Sequence, residues 1–436
     1  MSILRINDLA LELVKKDFSD GNMPNNAGPT KTSRALAIIH LAAHDAYGKI
    51  TSKFPPRLAN LPNPPQGIGD VEAAANAALL SAGILAAERL YPNFVDFIAK
   101  ETAGLTVGLD PQALGYGQLV ANAWLAARSN DGSNVRQMDR SFSQEPGRHR
   151  PDPLNPNQEA LGRTWGSVTP FVLSSVPADA PLERQPALTD SAYTAAFKEV
   201  LRDGKADLVD RDPPKAVVGI FWGYDGANQI GVPPRLYNQV VRAIPGIKDL
   251  PLEKQIRLLT AINVAMADAG IAAWYWKYEY DFWRPVVGIR EADAGWGSTG
   301  KGDGNNATIG DPFWLPLGAP NSNPVKIPAN NGTPGFPAYP SGHATFGAAC
   351  FKVAAALLGK NPKEIEVKFV SDEFNGVTTD NNRVTRPKYQ DTFNLEEAIA
   401  DNNISRIYLG VHWIFDATGG EKVGTAIANK VFNVFK

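Results

Sequence analysis

The chain is organised around one stretch, Tyr339-Pro340-Ser341-Gly342-His343-Ala344-Thr345-Phe346. An apolar run follows it as far as Leu358, and the spacing of that run fits a buried helix better than a strand. Ser341 is a suitable N-cap for this helix, because its hydroxyl can accept a hydrogen bond from an early N–H group. Gly342 lets the backbone approach a ligand closely, and free N–H groups at a helix start attract an anion. His343 would stand beside that anion in the first helical turn.

A second stretch, from Lys277 to Pro285, carries two cations. Lys277 and Arg284 are two helical turns apart, so a continuous helix would place both side chains on one face. Pro285 would then end the helix just beyond Arg284.

A third stretch runs from Ser405 to Asp416 and adds a third cation and a second imidazole. The cation is Arg406 and the imidazole is His412, with the Asp416 carboxylate four residues further on. In a helix, His412 and Asp416 would be neighbours.

The joint pattern is more informative than any of its parts. A lone Ser-Gly-His loop or a lone lysine on a helix is more often structural than functional. Three cations, a hydroxyl and a backbone N–H together suit the oxygens of a tetrahedral oxyanion. Two imidazoles suit its two ends, one bonding the central atom and the other moving protons. The sequence therefore predicts an oxyanion site.

The order Lys-x6-Arg-Pro, Pro-Ser-Gly-His, Ser-Arg-x5-His-x3-Asp resembles the superfamily that joins type 2 acid phosphatases to vanadium-dependent haloperoxidases. Two stretches outside these motifs, Tyr224–Pro234 and Asn263–Gly270, are similar to the fungal and bacterial haloperoxidases. The phosphatase branch is usually shorter and has no N-terminal bundle. The length of this chain therefore favours the haloperoxidase branch.

The resemblance implies a role for each motif residue. By motif position, His412 would bond vanadium, and Asp416 would orient it through the other ring nitrogen. His343 would bond the apical oxygen and act as acid and base. The residues that would hold the vanadate oxygens are Lys277, Arg284, Ser341, Gly342 and Arg406.

Three further residues are assigned by weaker local matches. Asp225 would support His343, while Trp274 and Phe336 would line the halide side of the site. The position of Phe336 is often His in bromide-preferring algal enzymes, so Phe argues against that subgroup. Phe also occurs in enzymes that are limited to iodide, and chloride oxidation does not follow from it.

The function implied is a vanadium-dependent haloperoxidase with one vanadate per chain. It would oxidise a halide with hydrogen peroxide, with Lys277 assisting, and the hypohalous acid would halogenate small organic acceptors. The alternative is an acid phosphatase in which His412 is the nucleophile and His343 the general acid. A silent structural protein is a third possibility; it predicts a damaged site, whereas every motif residue is present.

Helical periodicity predicts an all-α fold with two four-helix bundles and long ordered loops. The resemblance places the oxyanion site at one end of the second bundle. The first bundle would be residues 33–49, 71–91, 93–102 and 111–129. The second would be residues 252–280, 342–358, 394–408 and 415–432. We expect residues 1–186, which end in a Pro-rich wrapping loop from residue 130 onward, and residues 187–436 to form one compact unit.

Composition limits the possible partners. The net charge of -2 and the hydrophobic fraction of 44% are typical of a globular protein and give no reason to expect nucleic acid or a membrane surface. The charged start of the chain and the lack of an uncharged apolar run predict neither a signal peptide nor a membrane span, with the cytoplasm as default. A homo-oligomer stays open, because a bundle face and an oligomer face look alike in sequence.

Other candidate sites have simpler interpretations. His40 and His44 stand at metal-pair spacing, but their helix is apolar and we expect it to be packed. His149 lies between arginines in a loop and is expected to be solvated. The loop at Asp303 lacks the ligands of a calcium site.

Overall fold

A computed structural model describes residues 2–19, 24–135, 141–207, 212–325 and 331–436, and these are largely helical. The helices are α1 (Ser2–Asp17), α2 (Gly28–Thr51), α3 (Val71–Leu90), α4 (Val95–Thr102), α5 (Pro111–Ala127), α6 (Val176–Asp179), α7 (Ser191–Asp203), α8 (Pro213–Phe221), α9 (Pro233–Ala243), α10 (Leu252–Tyr280), α11 (Pro285–Arg290), α12 (Gly342–Leu358), α13 (Leu395–Tyr408) and α14 (Ile414–Phe435). An antiparallel hairpin that the sequence did not predict joins β1 (Glu366–Val370) to β2 (Gln390–Asn394). The all-α fold class is confirmed.

The N-terminal bundle is built around α2, which packs against α3 and α5. The predicted fourth helix over residues 93–102 exists as α4, but it buries only Ile98. Helix α1 packs against α2 and α3 instead and buries ten of its 16 residues. The apolar stripe of α1 therefore makes it, rather than α4, the fourth member of this bundle.

Helices α10, α12, α13 and α14 form the C-terminal bundle, as predicted. Glycines allow α14 to lie directly on the first turns of α12. A Cβ atom on Gly420 would lie 2.6 Å from the Ser341 carbonyl oxygen, and one on Gly424 would lie 2.4 Å from the Thr345 carbonyl oxygen. These contacts fix the position of the Ser-Gly-His loop at one end of the bundle.

The two bundles meet along α10, which packs against α2 on one side and α12 on the other. Apolar residues of both bundles belong to one continuous buried cluster. The boundary at residue 186 stays a prediction. Helices α3 and α10 are long and apolar enough to cross a membrane, but 61% and 94% of their apolar windows are buried inside the protein.

The prediction of one continuous helix from Lys277 to Arg284 is wrong. Helix α10 ends at Tyr280, and Asp281 adopts a left-handed conformation with φ 51°. Arg284 is extended, with ψ 156°, and Pro285 begins α11 instead of ending a helix. The physical reason is that a proline disfavours the helical conformation of the residue before it and suits a first helical turn.

The wrapping loop is tied to this break between α10 and α11. His149 N donates to Asp281 O at 2.9 Å, and Trp283 N donates to Gly147 O at 3.0 Å. His149 is therefore buried rather than solvated, with 2% of its surface exposed. Burial, with Arg284 nearby, holds the pKa of His149 well below its usual value.

Candidate functional site

The three sequence motifs converge at the N-terminus of α12. Ser341 is the N-cap, and its hydroxyl accepts a hydrogen bond from Ala344 N at 3.4 Å, so the predicted cap is confirmed. Gly342 and His343 occupy the first turn. Ser341 N donates to Asp416 O at 2.8 Å, which joins this loop to the start of α14.

Lys277 is fully buried at the end of α10. Its Nζ donates to the carbonyl oxygens of Pro337 at 2.8 Å, Ala338 at 3.0 Å and Pro340 at 2.5 Å. Burial, followed by the charge of Arg284, lowers the pKa of Lys277 well below its usual value. An ammonium group has three N–H donors, so an oxyanion that accepts from Lys277 must replace one of these carbonyls.

Arg284 is 1% exposed and reaches across the site. Its Nε donates to Phe336 O at 2.9 Å, and its Nη1 donates to Val411 O at 2.7 Å and to His412 Nε2 at 2.9 Å. Burial lowers the pKa of Arg284 to about 9. Its Nη2 is buried and has no hydrogen-bond partner among the described residues.

Arg406 lies in the last turn of α13 and forms a bidentate ion pair with Asp225. Its Nη2 is 2.7 Å from Asp225 Oδ1, and its Nη1 is 3.1 Å from Asp225 Oδ2. Arg406 Nε is buried and without a partner in the described part of the chain. Because a buried unpaired N–H group is costly, Arg406 Nε and Arg284 Nη2 are donors suited to an oxyanion.

The hydrogen bonds of His412 define its tautomer. Since a guanidinium only donates, His412 Nε2 must accept from Arg284. Nδ1 then carries the proton and donates to Asp416 Oδ2 at 2.8 Å. Burial, followed by the charge of Arg284, holds the pKa of His412 well below its usual value, so the ring is neutral with a lone pair on Nε2.

Asp416 is fully buried and also accepts from Trp413 N at 2.9 Å. Burial raises its pKa to about 7. The residue binds His412 as predicted, but the helical basis of that prediction is wrong, because Trp413 is the N-cap of α14 and His412 precedes the helix.

His343 lies in the first turn of α12 and lines the same cavity as His412. Its Nε2 donates to Gly223 O at 2.7 Å, which leaves Nδ1 as the acceptor of the neutral ring. Burial, followed by the charge of Arg406, lowers the pKa of His343 to about 3. Asp225 Oδ1 lies 3.9 Å from His343 Nε2, so Asp225 is a neighbour of His343 but is hydrogen-bonded to Arg406.

Two aromatic rings form one wall of the site. The rings of Trp274 and Phe336 are 4.7 Å apart, and the Phe336 ring lies 5.1 Å from Lys277 Nζ and 5.0 Å from Arg284 Cζ. A Cβ atom on Gly342 would lie 3.3 Å from the Trp274 ring. The absence of a side chain at Gly342 therefore lets the start of α12 approach this wall.

A cavity of about 430 Å³ opens onto the cluster. His343, Arg406 and His412 line it, whereas Lys277 and Arg284 do not. Outside the motifs, three of the lining residues were predicted from the sequence, namely Asp225, Trp274 and Phe336. The lining residues that were not predicted come from distant segments with no shared spacing, and they include Phe18, Pro29, Leu161, Pro320 and Thr333.

The remaining candidates are structural. His40 Nδ1 bonds Leu36 O at 2.7 Å, and burial lowers the pKa of His40 to about 4. Asp303 binds its own loop, accepting from Asn305 N and Thr308 Oγ1, each at 2.8 Å. No cluster of three or more potential metal ligands of the His, Cys, Asp and Glu types occurs in the described ranges.

Comparisons with known proteins match this chain to one group. A family model described as the VCPO second helical-bundle domain matches residues 257–436. The vanadium chloroperoxidase of Curvularia inaequalis is 32% identical over 510 aligned residues, which cover 97% of this chain and 80% of that protein.

Solved structures share the fold. A bacterial vanadium-dependent iodoperoxidase superposes with a TM-score of 0.74 at 20% identity, covering 98% of this chain and 95% of its own. A bacterial vanadium-dependent chloroperoxidase in its holo form superposes with a TM-score of 0.69 at 18% identity, covering 95% and 94%.

Proposed function

Since this chain belongs to the vanadium haloperoxidase family, we propose that it is a vanadate-dependent haloperoxidase. It binds one vanadate and uses hydrogen peroxide to oxidise a halide to hypohalous acid, which halogenates a small organic acceptor. The observation that carries the proposal is a pair of buried guanidinium N–H groups, on Arg284 and Arg406, that have no hydrogen-bond partner within the described part of the chain. Arg284 also binds the accepting Nε2 of His412.

The donor set suits vanadate. His412 presents a neutral ring nitrogen, the form in which an imidazole binds a metal. Arg284 and Arg406 supply charged donors to the oxygens, and Ser341 and Gly342 complete the cage with a hydroxyl and a backbone N–H. Vanadate, when bound, supplies a Lewis acid that activates hydrogen peroxide without a change of oxidation state.

Lys277 would exchange one carbonyl partner for an oxygen of the bound anion. A negative charge beside this buried ammonium favours its charged form, which opposes the lowering of its pKa by burial. Lys277 would then stabilise negative charge on the oxygens during turnover. The exchange changes the contacts of residues 337–340, which hold the Ser-Gly-His loop.

His343 is the residue suited to proton transfer. Its Nε2–H is fixed on Gly223 O, so Nδ1 is the nitrogen that can take a proton from hydrogen peroxide. Asp225 supports His343 indirectly, because it holds Arg406 in place and contributes a negative charge 3.9 Å away. Asp416 fixes the tautomer of His412.

The halide would approach from the side of Trp274 and Phe336. These rings exclude water from one wall, and the cations behind them provide an attractive potential for an anion.

The test is steady-state oxidation of iodide, bromide and chloride by hydrogen peroxide, using vanadate-free protein with and without added orthovanadate. We expect turnover that requires orthovanadate and that phosphate suppresses by competition. The same cage fits phosphate, so hydrolysis of a phosphomonoester should be measured in parallel. Hydrolysis that orthovanadate inhibits, without oxidation of any halide, would assign the site to a phosphatase.

A further inference from the structure

We propose that Tyr224 is a positioning residue for the reaction. A left-handed turn at this residue presents Gly223 O to His343 and the Asp225 carboxylate to Arg406, and the Tyr224 hydroxyl holds the turn. This inference rests on the proposed haloperoxidase function and adds a residue that none of the three motifs contains. Tyr224 acts through its two neighbours in the chain rather than through a contact with a substrate.

The two residues beside Tyr224 orient the proton-transfer side of the site. Gly223 O accepts from His343 Nε2 at 2.7 Å. Asp225 Oδ1 accepts from Arg406 Nη2 at 2.7 Å and lies 3.9 Å from the same His343 nitrogen. A backbone carbonyl and a side chain two residues later therefore converge on one imidazole, and the chain turns tightly between them.

The backbone of Tyr224 is strained. Its φ is 47°, in the left-handed region that bulky residues rarely adopt, and no other aromatic residue in the described ranges has a positive φ. Glycine would adopt this conformation without a steric cost. Strain of this kind persists only where surrounding contacts enforce it, and such residues cluster at functional sites. A fully buried tyrosine at this turn therefore indicates that its side chain has a task that glycine could not perform.

The Tyr224 hydroxyl is hydrogen-bonded on both sides. Asp372 N donates to Tyr224 Oη at 2.8 Å, and Tyr224 Oη donates to Gln239 Oε1 at 3.0 Å. Burial raises the pKa of Tyr224 well above its usual value, so the hydroxyl keeps its proton and can donate and accept at the same time. These two bonds fix the side chain and, through it, the turn.

Both partners of the hydroxyl are themselves held in place. The Asp372 carboxylate accepts from Arg235 Nη1 and, at 3.2 Å, from Gln239 Nε2. Arg235 is 3% exposed, so its charge is sheltered from water. Ser371 Oγ donates to Phe221 O at 2.7 Å, just before the turn. Residues 371–372 and α9 therefore form a support for the turn that does not depend on the cage residues.

Loss of the hydroxyl would release the turn. His343 Nε2–H would lose its fixed acceptor, so both neutral tautomers of the ring would be populated. Nδ1 would then carry a proton in part of the molecules and could not take one from hydrogen peroxide. Arg406 would also lose a fixed partner, because Asp225 follows Tyr224 directly in the chain.

The tautomer of His343 can be measured without vanadate and without turnover. The chain has five histidines, so nitrogen NMR of protein labelled with nitrogen-15 only in histidine gives a simple spectrum. The His343→Ala change identifies the two ring signals of His343. In the unchanged protein at neutral pH we expect Nε2 to be protonated and Nδ1 to be unprotonated. In Tyr224→Phe we expect both signals to move towards their average, because the two tautomers exchange.

Tyr116→Phe is the matched control. Tyr116 is 2% exposed, lies in α5 of the N-terminal bundle, and donates through its hydroxyl to Pro62 O at 3.1 Å. This change removes a buried tyrosine hydroxyl elsewhere in the protein and should leave the His343 signals unaltered. Unaltered signals in Tyr224→Phe, or equal changes in Tyr224→Phe and Tyr116→Phe, would overturn the proposal.

Gln239→Met is a second variant, which keeps the Tyr224 ring and removes one partner of its hydroxyl. It should move the His343 signals in the same direction as Tyr224→Phe but by a smaller amount. Movement in the opposite direction would contradict the role of the hydroxyl.

Kinetics of the vanadate-loaded enzyme test the consequence for turnover. At saturating orthovanadate, Tyr224→Phe should lower kcat for halide oxidation about 10- to 100-fold, as expected when a catalytic group is misplaced, while KM for the halide changes little. Tyr116→Phe should keep the kcat of the unchanged enzyme.

The two measurements separate this inference from the proposed function. Normal kcat in Tyr224→Phe would rule out the positioning role and leave the haloperoxidase intact. If the unchanged protein oxidises no halide while Tyr224→Phe still loses the single tautomer, the proposed function fails and the positioning of His343 by Tyr224 stands.

Discussion

His412 Nδ1 lies 2.8 Å from Asp416 Oδ2, although only one of the two residues is helical. The same carboxylate oxygen accepts from Trp413 N at 2.9 Å and thereby closes the first turn of α14. One carboxylate therefore starts a helix and fixes the imidazole that precedes it. The other oxygen of Asp416, Oδ1, is buried without a partner in the described segments, so both tasks use Oδ2.

The Asp416→Asn change should weaken vanadate binding about 10- to 100-fold, as expected when the partner of a metal-binding histidine is altered. The amide oxygen can still accept one bond, but the negative charge opposite Nδ1–H is lost. Equilibrium dialysis with orthovanadate measures this directly. Asp203→Asn, a partly buried acid at the end of α7, is the control. Equal vanadate affinities of the unchanged protein, Asp416→Asn and Asp203→Asn would contradict the role of Asp416 in orienting His412.

The His412→Ala change should abolish halide oxidation and weaken vanadate binding, because it removes the neutral nitrogen that faces the cage. Equilibrium dialysis and a peroxidase assay at saturating orthovanadate measure the two effects separately. Full activity of the reconstituted variant would rule out His412 as the metal ligand.

The His343→Ala change should have a different outcome. Halide oxidation should be lost, since no other ring nitrogen on α12 can take a proton, whereas measurable vanadate affinity should remain because Arg284, Arg406 and His412 are unchanged. The same two measurements apply. Normal turnover would remove the acid–base role from His343.

The Gly424→Ala change should destabilise the protein by about 1–3 kcal/mol through overpacking of α14 against α12. A Cβ atom would lie 2.4 Å from the Thr345 carbonyl oxygen, which belongs to the backbone and has little room to move. Denaturant unfolding gives the difference in free energy.

Gly115 in α5 is the matched control, because a Cβ atom there meets nothing within 4 Å. Gly115→Ala should stabilise the protein by roughly 0.5–1 kcal/mol, the usual gain for alanine within a helix. Similar effects of the two changes would show that close approach of α12 and α14 is not what requires Gly424.

Acid should destabilise the protein between pH 6.5 and 4, partly through His40. Burial lowers the pKa of His40 from 6.5 to about 4, so within this range the unfolded chain binds a proton that the folded chain does not. Stability therefore falls as the pH is lowered, by up to about 1.4 kcal/mol per pH unit for one such group.

The His40→Gln change should reduce this slope while retaining an acceptor for Asn7 Nδ2, which lies 3.1 Å from His40 Nε2. Unfolding curves at several pH values between 4 and 7 measure the slope. Arg5→Gln, a change on the exposed side of α1, should leave the slope unaltered. An identical slope in His40→Gln and the unchanged protein would contradict the prediction.

Much of the helical framework was predictable. The predicted helices at residues 71–91, 252–280, 342–358 and 394–408 are confirmed within one residue at each end. Their apolar spacing extends over many residues, and the caps and prolines that bound them act locally. Whether α1 or α4 completes the first bundle was not predictable, because both are amphipathic and only packing selects between them.

The sequence by itself determined which chemical groups form the candidate site. Lys277, Arg284, Ser341, His343, Arg406 and His412 stand at recognisable spacings, and Ser341 caps α12 through a bond three residues away. These features can be predicted from the sequence, because caps, prolines and helical periodicity depend on residues within one or two helical turns.

Only the tertiary structure decided how those groups are oriented. The turn at Asp281 aims Arg284 at His412, and residues 147–149 of the wrapping loop hold that turn by backbone hydrogen bonds. The cavity likewise draws Phe18, Leu161 and Thr333 from segments far apart in the chain. Burial lowers the pKa values of His343 and His412, and the extent of burial depends on the packing of the whole surrounding structure.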